Sequence, residues 1–251
     1  MVWPRLITLF RSIPLFVTGF FLLAPCTAAA FGIPETLRYD ISWAGIKAGE
    51  SVIEIRQADD ATIIAVTTTS VKWISVFYPV NDRVESRVAS GPTPGTIGLP
   101  LTYRLKLSEG RHRKDKEVIF DSARSKAFYI DYLDDERKEF DLPGAVFDPL
   151  SSFYRIRGMH LEVGKSAYIR IFDSKKIYDA EVQVLRKERI QGPSGEVDTL
   201  VIKPMMKSEG IFYQKGEMLI WLSDDDKKIP LRMKSKVKIG SVTANLTGGQ
   251  Y

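Results

Sequence analysis

Apolar and polar residues alternate along most of the chain. In "LRYDISW" (37–43) the apolar side chains occupy the odd positions, and "LTYRLKL" (101–107) and "IPLRMKSKVKI" (229–239) repeat the pattern. Successive residues of a β-strand point to opposite faces of a sheet. The alternation therefore predicts antiparallel strands with one buried face and one face in water.

Further strands follow at short intervals and are separated by polar turns. They are predicted near 49–57, 61–70, 82–89, 114–121, 126–133, 165–172, 177–188, 197–204 and 217–222. The sequence thus predicts an all-β, mainly antiparallel fold, a meander of about a dozen strands that forms a barrel or a strongly curved sheet. The parity of the apolar positions slips at Gly240, which predicts a bulge or bend there.

Two segments depart from the strand pattern. "FDPLSSFYRIRGM" (147–159) predicts a short helix, because Asp148 is a good N-cap, Pro149 suits the first helical position and the apolar residues that follow have helical spacing. "VKWISVFYPV" (71–80) fits a helical stripe that Pro79 ends, although its β-branched residues leave a strand open. We therefore expect one or two short helices.

Residues 1–30 have the features of a cleaved signal peptide. Arg5 and Arg11 precede a short apolar run, and three alanines at 28–30 supply a cleavage site before Phe31. The run before Cys26 also resembles a lipoprotein signal, but Pro25 fits poorly where a small residue is needed. Ordinary cleavage is favoured over lipid anchoring at Cys26, and the remaining chain, 31–251, is expected to be a single periplasmic domain.

Composition excludes several kinds of function. Cys26 is the single cysteine, so a cleaved chain has no disulfide, thiol nucleophile or cysteine-ligated metal. The formal net charge of +5 falls to +3 without Arg5 and Arg11, which does not suggest a nucleic-acid binder. Outside the leader no apolar run is long enough to cross a membrane, so no transmembrane segment is expected in the mature chain.

Residues suited to catalysis or metal binding are few. Asp224, Asp225 and Asp226 are contiguous, whereas a calcium loop spaces its ligands, so a hairpin tip is the favoured interpretation. His112 and His160 belong to no recognisable catalytic motif. We therefore predict no catalytic residue, no metal ligand and no cofactor. An enzyme stays the least favoured alternative, to be tested at four acids: Asp40, Glu54, Asp131 and Asp148.

Three segments resemble the exported bacterial family DUF3108, a domain of unknown function. They are "GEMLIWLSDDDKKIPLRMKSKVKIGSVTANL" (216–246), "ETLRYDISWAGIKAGESVIEI" (35–55) and "FDPLSSFYRIRGM" (147–159). The resemblance covers nearly all of the chain after the leader, and its C-terminal block is the most specific part. It implies an exported, β-rich protein and supplies no functional residues.

Aromatic residues suggest a binding site. A sheet too curved to fill its own centre leaves an apolar cavity, and six aromatic residues are candidates to line it: Trp43, Trp73, Phe77, Tyr103, Phe153 and Trp221. An ordinary aromatic core is the alternative. The basic segment 104–116 could hold anionic lipid headgroups or be a solvated hairpin.

Two functions follow from this interpretation. The first is a non-enzymatic protein that binds an apolar or amphipathic ligand of the cell envelope, such as a lipid. The alternative is an assembly factor that engages an envelope protein through an edge strand or an apolar patch.

Overall fold

The computed structural model describes residues 31–173, 175–205, 218–237 and 239–251, and the predicted signal peptide at 1–30 lies outside them. The described residues form one antiparallel sheet of fourteen strands. The first eight are β1 (Glu35–Trp43), β2 (Ile46–Ala58), β3 (Ala61–Ser70), β4 (Asn81–Ser90), β5 (Ile97–Glu109), β6 (His112–Asp121), β7 (Lys126–Asp131) and β8 (Glu136–Asp141). The others are β9 (Ser166–Asp173), β10 (Lys176–Gly192), β11 (Gly195–Met205), β12 (Met218–Ser223), β13 (Pro230–Lys236) and β14 (Ser241–Gln250).

The strand order is that of two meanders joined through β1 and β14. It runs β8-β7-β6-β5-β4-β3-β2-β1-β14-β13-β12-β11-β10-β9, so chain neighbours pair throughout, and β1 pairs with β14. The edges are therefore β8 and β9, which follow one another in sequence. The predicted all-β, curved-sheet fold is confirmed.

The sheet curls until its two edges approach, but the edges are not joined by a ladder of hydrogen bonds. The rings of Phe140 and Phe172 lie 5.2 Å apart, and Lys175 pairs with Glu136. The segment after β8 runs beside β9, where the Phe147 amide donates to the Arg170 carbonyl at 2.9 Å and the Phe147 carbonyl accepts from the Phe172 amide at 2.8 Å. Side chains and this segment therefore complete a barrel-like wall.

Antiparallel pairing places the turns at two ends of the curl. We call the end with the turns at 43–46, 70–81, 109–112 and 131–136 the open end. The opposite end, with the turns at 58–61, 90–97, 192–195 and 223–230, is the closed end. Each hairpin returns the chain to the end it came from, so this division follows from the strand pairing.

Helix α2 (Pro149–Arg157) lies inside the curl and buries Tyr154, Ile156 and Arg157. The shorter α1 (Lys72–Ser75) lies at the open end and has no buried residue. The helix predicted in 147–159 is confirmed, and in 71–80, where a strand had been the alternative, the structure has the short helix. The bulge or bend predicted at Gly240 is a bend in the connection between two strands, because β13 ends at Lys236 and β14 starts at Ser241. Ile239, which shares the parity of buried residues, is 74% exposed.

A buried ion pair fixes α2 at the closed end. The Arg157 guanidinium donates to both carboxylate oxygens of Glu35, at 2.7 and 2.8 Å, and both side chains are fully buried. Arg157 also donates to the Lys227 carbonyl at 3.1 Å, and the Tyr154 hydroxyl donates to Glu35 at 3.1 Å. Because these charges are paired and hydrogen-bonded, their burial is tolerated, and they connect β1, α2 and the 223–230 turn.

Candidate functional site

An apolar cavity of about 370 Å³ lies between α2 and the inner face of the sheet. Its lining comes from α2 and from every described strand except β7 and β8. The volume falls within the roughly 300–1,000 Å³ typical of small-molecule sites. The curved sheet therefore leaves a space that its own side chains do not fill.

Strand alternation directs the lining side chains inward. Tyr103, Leu105 and Leu107 are alternate residues of β5, and all three line the cavity. The lining residues of the other strands also share the inward parity. They are Ile41, Ser51, Ile53, Val66, Val84, Lys114, Ile169, Ile171, Asp173, Ala180, Val182, Ile202, Pro204, Met218, Ile220, Met233 and Ala244.

Helix α2 forms the floor of the cavity towards the closed end, through Leu150, Phe153 and Ile156 among others. Its start is fixed by Asp148, whose carboxylate accepts from the backbone amides of Leu150 at 2.8 Å and Ser151 at 2.9 Å. The hydroxyl of Ser86 on β4 donates to the same carboxylate at 2.6 Å. The helix is thus tied to the wall that it faces.

Few polar groups reach the cavity, and most of these are already engaged. The Ser51 hydroxyl donates to the Thr67 carbonyl at 3.2 Å, and the Ser152 hydroxyl donates to the Pro149 carbonyl at 2.8 Å. Burial raises the pKa of the Tyr103 phenol well above its usual value, and the nearby charge of Asp148 adds to the shift. Tyr103 is therefore a neutral hydroxyl across the physiological pH range. Lys114 contributes a charged side chain to the wall.

Two of the six predicted ligand-binding residues line the cavity. Tyr103 lies on β5 and Phe153 on α2, and they belong to its opposite walls. For these two residues the predicted position agrees with the geometry, whereas ligand binding stays a prediction.

The other four lie elsewhere. Trp43 is 43% exposed at the end of β1, where its indole N–H donates to the Ile239 carbonyl at 2.9 Å. Trp73 and Phe77 project from α1 and the turn after it, 50% and 82% exposed. Trp221 is buried, but its neighbour Ile220 lines the cavity, so Trp221 points to the opposite face of β12, beside the Arg232 guanidinium. These four residues therefore do not line this cavity, and a part for them in ligand binding stays an untested prediction.

The sequence interpretation missed the aliphatic part of the lining. Leu105 and Leu107 share the parity of Tyr103, and Ile41 shares that of Tyr39, so the alternation contained the signal. Aromatic size was the wrong criterion, because most of the wall consists of isoleucine, leucine, valine and methionine. Once one inward-facing residue of a strand is identified, the residues two and four positions away are expected to face inward as well. This rule would have identified the aliphatic lining residues.

The basic segment 104–116 is divided between the two faces of the sheet. Arg104 pairs with Asp115, and Lys116 pairs with Asp131 at 3.2 Å. Lys106 and Arg113 line a second depression, of about 500 Å³, at the open end. Binding of anionic lipid headgroups, predicted for the basic residues of 104–116, could therefore involve only some of these residues.

The aspartates at 224–226 lie in the turn between β12 and β13, as predicted. The Asp225 carboxylate accepts from the backbone amides of Lys227 at 3.1 Å and Lys228 at 3.0 Å, and Asp224 pairs with Lys187. The carboxylate of Asp225 thus shapes the turn itself, which is the usual role of aspartate in such loops.

The four acids reserved for an enzymatic function do not converge. Asp40 pairs with Lys47 at 2.8 Å, Asp131 pairs with Lys116, and Asp148 caps α2. Glu54 is an exposed residue of β2. The imidazole of His160 is 89% exposed, and His112 is also exposed. These positions provide no shared cleft for general acid–base chemistry.

Fold and cavity together define a class: an open, barrel-like antiparallel sheet with a helix inside and an apolar space between them. The family model for DUF3108, described as a protein of unknown function, matches residues 38–247. The chain belongs to this family. No curated protein matches it at a significant level.

Two solved structures are similar to this chain to different degrees. One is a β-barrel-like protein of the domain of unknown function DUF1849 from Brucella abortus, 11% identical, with a TM-score of 0.56 over 88% of this chain and 98% of that one. The other is a candidate exported protein with a YmcC-like fold from Bacteroides fragilis, 9% identical, with a TM-score of 0.34 over 88% and 97% of the two chains. The first similarity supports the fold. Among the described residues, neither helix is long and apolar enough to cross a membrane.

Proposed function

We propose that this protein is an exported, non-enzymatic binding protein that holds the apolar part of a lipid or other amphipathic ligand. The observation that carries the proposal is the cavity of about 370 Å³ with its almost entirely aliphatic and aromatic lining. A cavity of this kind excludes ions and polar metabolites, because they would lose hydration without gaining partners. An alkyl chain gives up no hydrogen bonds to water on entry, and it gains contacts with the wall.

The lining also orients the ligand. Leu150, Phe153 and Ile156 of α2 close the cavity towards the ion pair of Glu35 and Arg157, so an apolar chain would end there. Lys114 and Asp173 both belong to the lining nearer the open end. A polar headgroup therefore fits at the open end, with the apolar chain directed towards α2.

Export rests on the sequence. The basic start, apolar run and alanine site of residues 1–30 support passage to the periplasm, where a carrier for envelope lipids would act.

The edge-strand alternative gains no support from the described edges. Four consecutive residues of β8, 136–139, are charged, and charge on an edge opposes pairing with another strand. The β9 edge is covered near Ile171 by the bridge to Phe147. Pairing of a partner strand with either described edge is therefore disfavoured.

Native mass spectrometry of the chain purified from its own cells, followed by organic extraction, tests the proposal. We expect an equimolar adduct of lipid mass. The variant Ala180→Leu/Ala244→Leu should lose it, because both alanines line the cavity. Ala123→Leu makes the same chemical change in an exposed turn and should keep the adduct.

Two results would count against binding in the cavity. One is an adduct of equal abundance in the filled variant, which would place the ligand elsewhere. The other is an unliganded wild-type mass together with an organic extract that contains no lipid.

A further inference from the structure

The open end carries a ring of exposed apolar side chains that the cavity does not use. We define the open rim as residues 43–46, 71–80, 109–112, 132–135 and 239–240. The most exposed large apolar side chains within it are Phe77 at 82%, Val76 at 76% and Ile239 at 74%. The others are Trp43, Ile46, Trp73, Tyr78, Tyr132 and Leu133. Water-facing apolar groups concentrated on one end usually mark an interaction surface.

Hydrogen bonds hold the segments of the open rim together. The Trp43 indole donates to the Ile239 carbonyl at 2.9 Å, which joins the 43–46 and 239–240 turns. The Gly110 amide donates to the Pro79 carbonyl at 2.8 Å, and the Val71 amide donates to the Ala48 carbonyl at 3.0 Å. The exposed side chains are thus presented by an ordered frame.

The scattered apolar side chains of the open rim favour a deformable surface over a rigid partner. α1 has no buried residue, and Trp73 and Phe77 are exposed at separate positions of one short segment. A protein groove would have to match several such turns at once, whereas the headgroup region of a bilayer adapts to each. Tryptophan and tyrosine are enriched at membrane–water interfaces because their rings combine an apolar body with a polar group.

Exposed cations lie among these side chains. Lys72 belongs to α1, Arg111 to the turn after β5, and Lys236 ends β13 beside the 239–240 turn. Of the acids of the rim, Asp134 and Asp135 lie in the turn between β7 and β8, whereas Glu109 is bridged to Val80 beside the α1 segment. Lys72 and Arg111 outnumber Glu109 around α1, so this part of the rim keeps a net positive charge, which anionic phospholipids attract.

We propose that the open rim docks on an anionic lipid bilayer, with Trp73 and Phe77 entering the interface and Lys72 and Arg111 contacting lipid phosphates. The cavity is lined from the halves of the strands nearest this rim, so a docked protein presents its binding space to the bilayer. The purpose of docking rests on the proposed function, whereas docking itself depends only on the rim.

Vesicle binding tests the docking. Flotation with vesicles of phosphatidylcholine and phosphatidylglycerol is compared with flotation on phosphatidylcholine alone, and all chains carry the same N-terminus. We expect wild type to favour the anionic vesicles and Trp73→Ser/Phe77→Ser to bind roughly tenfold more weakly or worse. Tyr168→Ser/Leu185→Ser removes exposed apolar side chains of β9 and β10, outside the rim, and should bind as wild type does.

Depth of insertion is a second, local measurement. Phospholipids with brominated acyl chains should quench the tryptophan emission of wild type, and Trp73→Phe should lose a large part of that quenching. Lys72→Glu/Arg111→Glu should weaken binding to anionic vesicles and reduce its dependence on salt. Equal binding of the Trp73→Ser/Phe77→Ser and wild-type chains, or equal quenching with Trp73→Phe, would overturn the proposal.

The docking and the ligand-binding proposals can fail separately. Binding of a soluble fluorescent fatty acid, measured without vesicles, should be the same in wild type and Trp73→Ser/Phe77→Ser, because neither residue lines the cavity. Vesicle binding without fatty-acid binding would leave docking in place and remove the proposed function. Fatty-acid binding without vesicle binding would do the reverse.

Discussion

The two ends of the curled sheet differ in how their interiors are packed. At the closed end, α2 fills the curl and its charged groups are paired, as Glu35 and Arg157 show. At the open end no described residue forms a helix inside the curl, the apolar cavity lies between the strands, and apolar side chains such as Phe77 face water. The difference indicates that the closed end maintains the fold, while the open end is available for binding.

The ion pair of the closed end should give the largest effect. Arg157→Leu leaves the Glu35 carboxylate buried without its partner, and we expect a loss of about 3–5 kcal/mol in the free energy of unfolding, measured with urea. The double variant Glu35→Leu/Arg157→Leu should recover much of the loss because no charge is left buried. A single variant that unfolds like Arg189→Leu, which breaks an exposed pair with Asp198, would contradict this account.

Replacing an alanine by leucine should cost more stability in the packed core than in the wall of the cavity. Ala127 is fully buried in the cluster around Tyr129, so Ala127→Leu should cost about 1–3 kcal/mol through overpacking. Ala180 lines the cavity, so Ala180→Leu should cost less than about 1 kcal/mol. Urea unfolding of both variants checks the difference, and equal costs would mean that the space beside Ala180 cannot accept side-chain atoms.

A carboxyl group at the open end should make stability depend on pH. Partial burial, together with the neighbouring Asp82, raises the pKa of Glu109 from 4.5 to about 7. The folded state therefore holds this proton more tightly than the unfolded state, and the resulting stabilisation is lost as the pH rises from about 4.5 through about 7. Glu109→Gln should thus gain stability relative to wild type across that window and keep a constant advantage above it.

Urea unfolding of wild type and Glu109→Gln at a series of pH values measures this effect. Parallel pH profiles for the two proteins would show that the carboxyl of Glu109 titrates normally, and the open end would then lack this sensitivity.

Truncation of the open rim should give the smallest effect on stability. Phe77 is 82% exposed, so Phe77→Ala should change the free energy of unfolding by no more than about 0.5 kcal/mol. Thermal unfolding followed by circular dichroism is sufficient to detect a larger change. A loss comparable to that of a core phenylalanine would mean that the rim belongs to the packed fold and is not free to bind.

The same contrast explains what the sequence could predict. Alternation identified the strands and the inward parity of Tyr103, Leu105 and Leu107, because a two-residue period is a property of each strand alone. The Asp148 cap was also readable, since its partners lie within three residues. Such local signals were sufficient for the fold class and for α2, whereas at 71–80 they left a helix and a strand both open.

The sequence could not predict which side chains at the strand ends are buried. Trp43 and Ile239 share the parity of buried residues but lie where the pairing ends, so nothing covers them fully. The pair of Glu35 and Arg157 joins residues 122 positions apart, and no local pattern connects them. These features depend on how the sheet closes around α2, which is decided by the whole chain.

The most direct test of the account is the affinity of wild type for straight-chain fatty acids of increasing length, measured by calorimetry. If the chain enters the cavity, each added methylene should contribute about 0.8 kcal/mol, roughly a fourfold gain in affinity, until the cavity is full. The Ala180→Leu/Ala244→Leu variant should reach its plateau at a shorter chain. Absence of saturable binding at every length, or the same plateau in both proteins, would contradict the claim that the cavity is a ligand site.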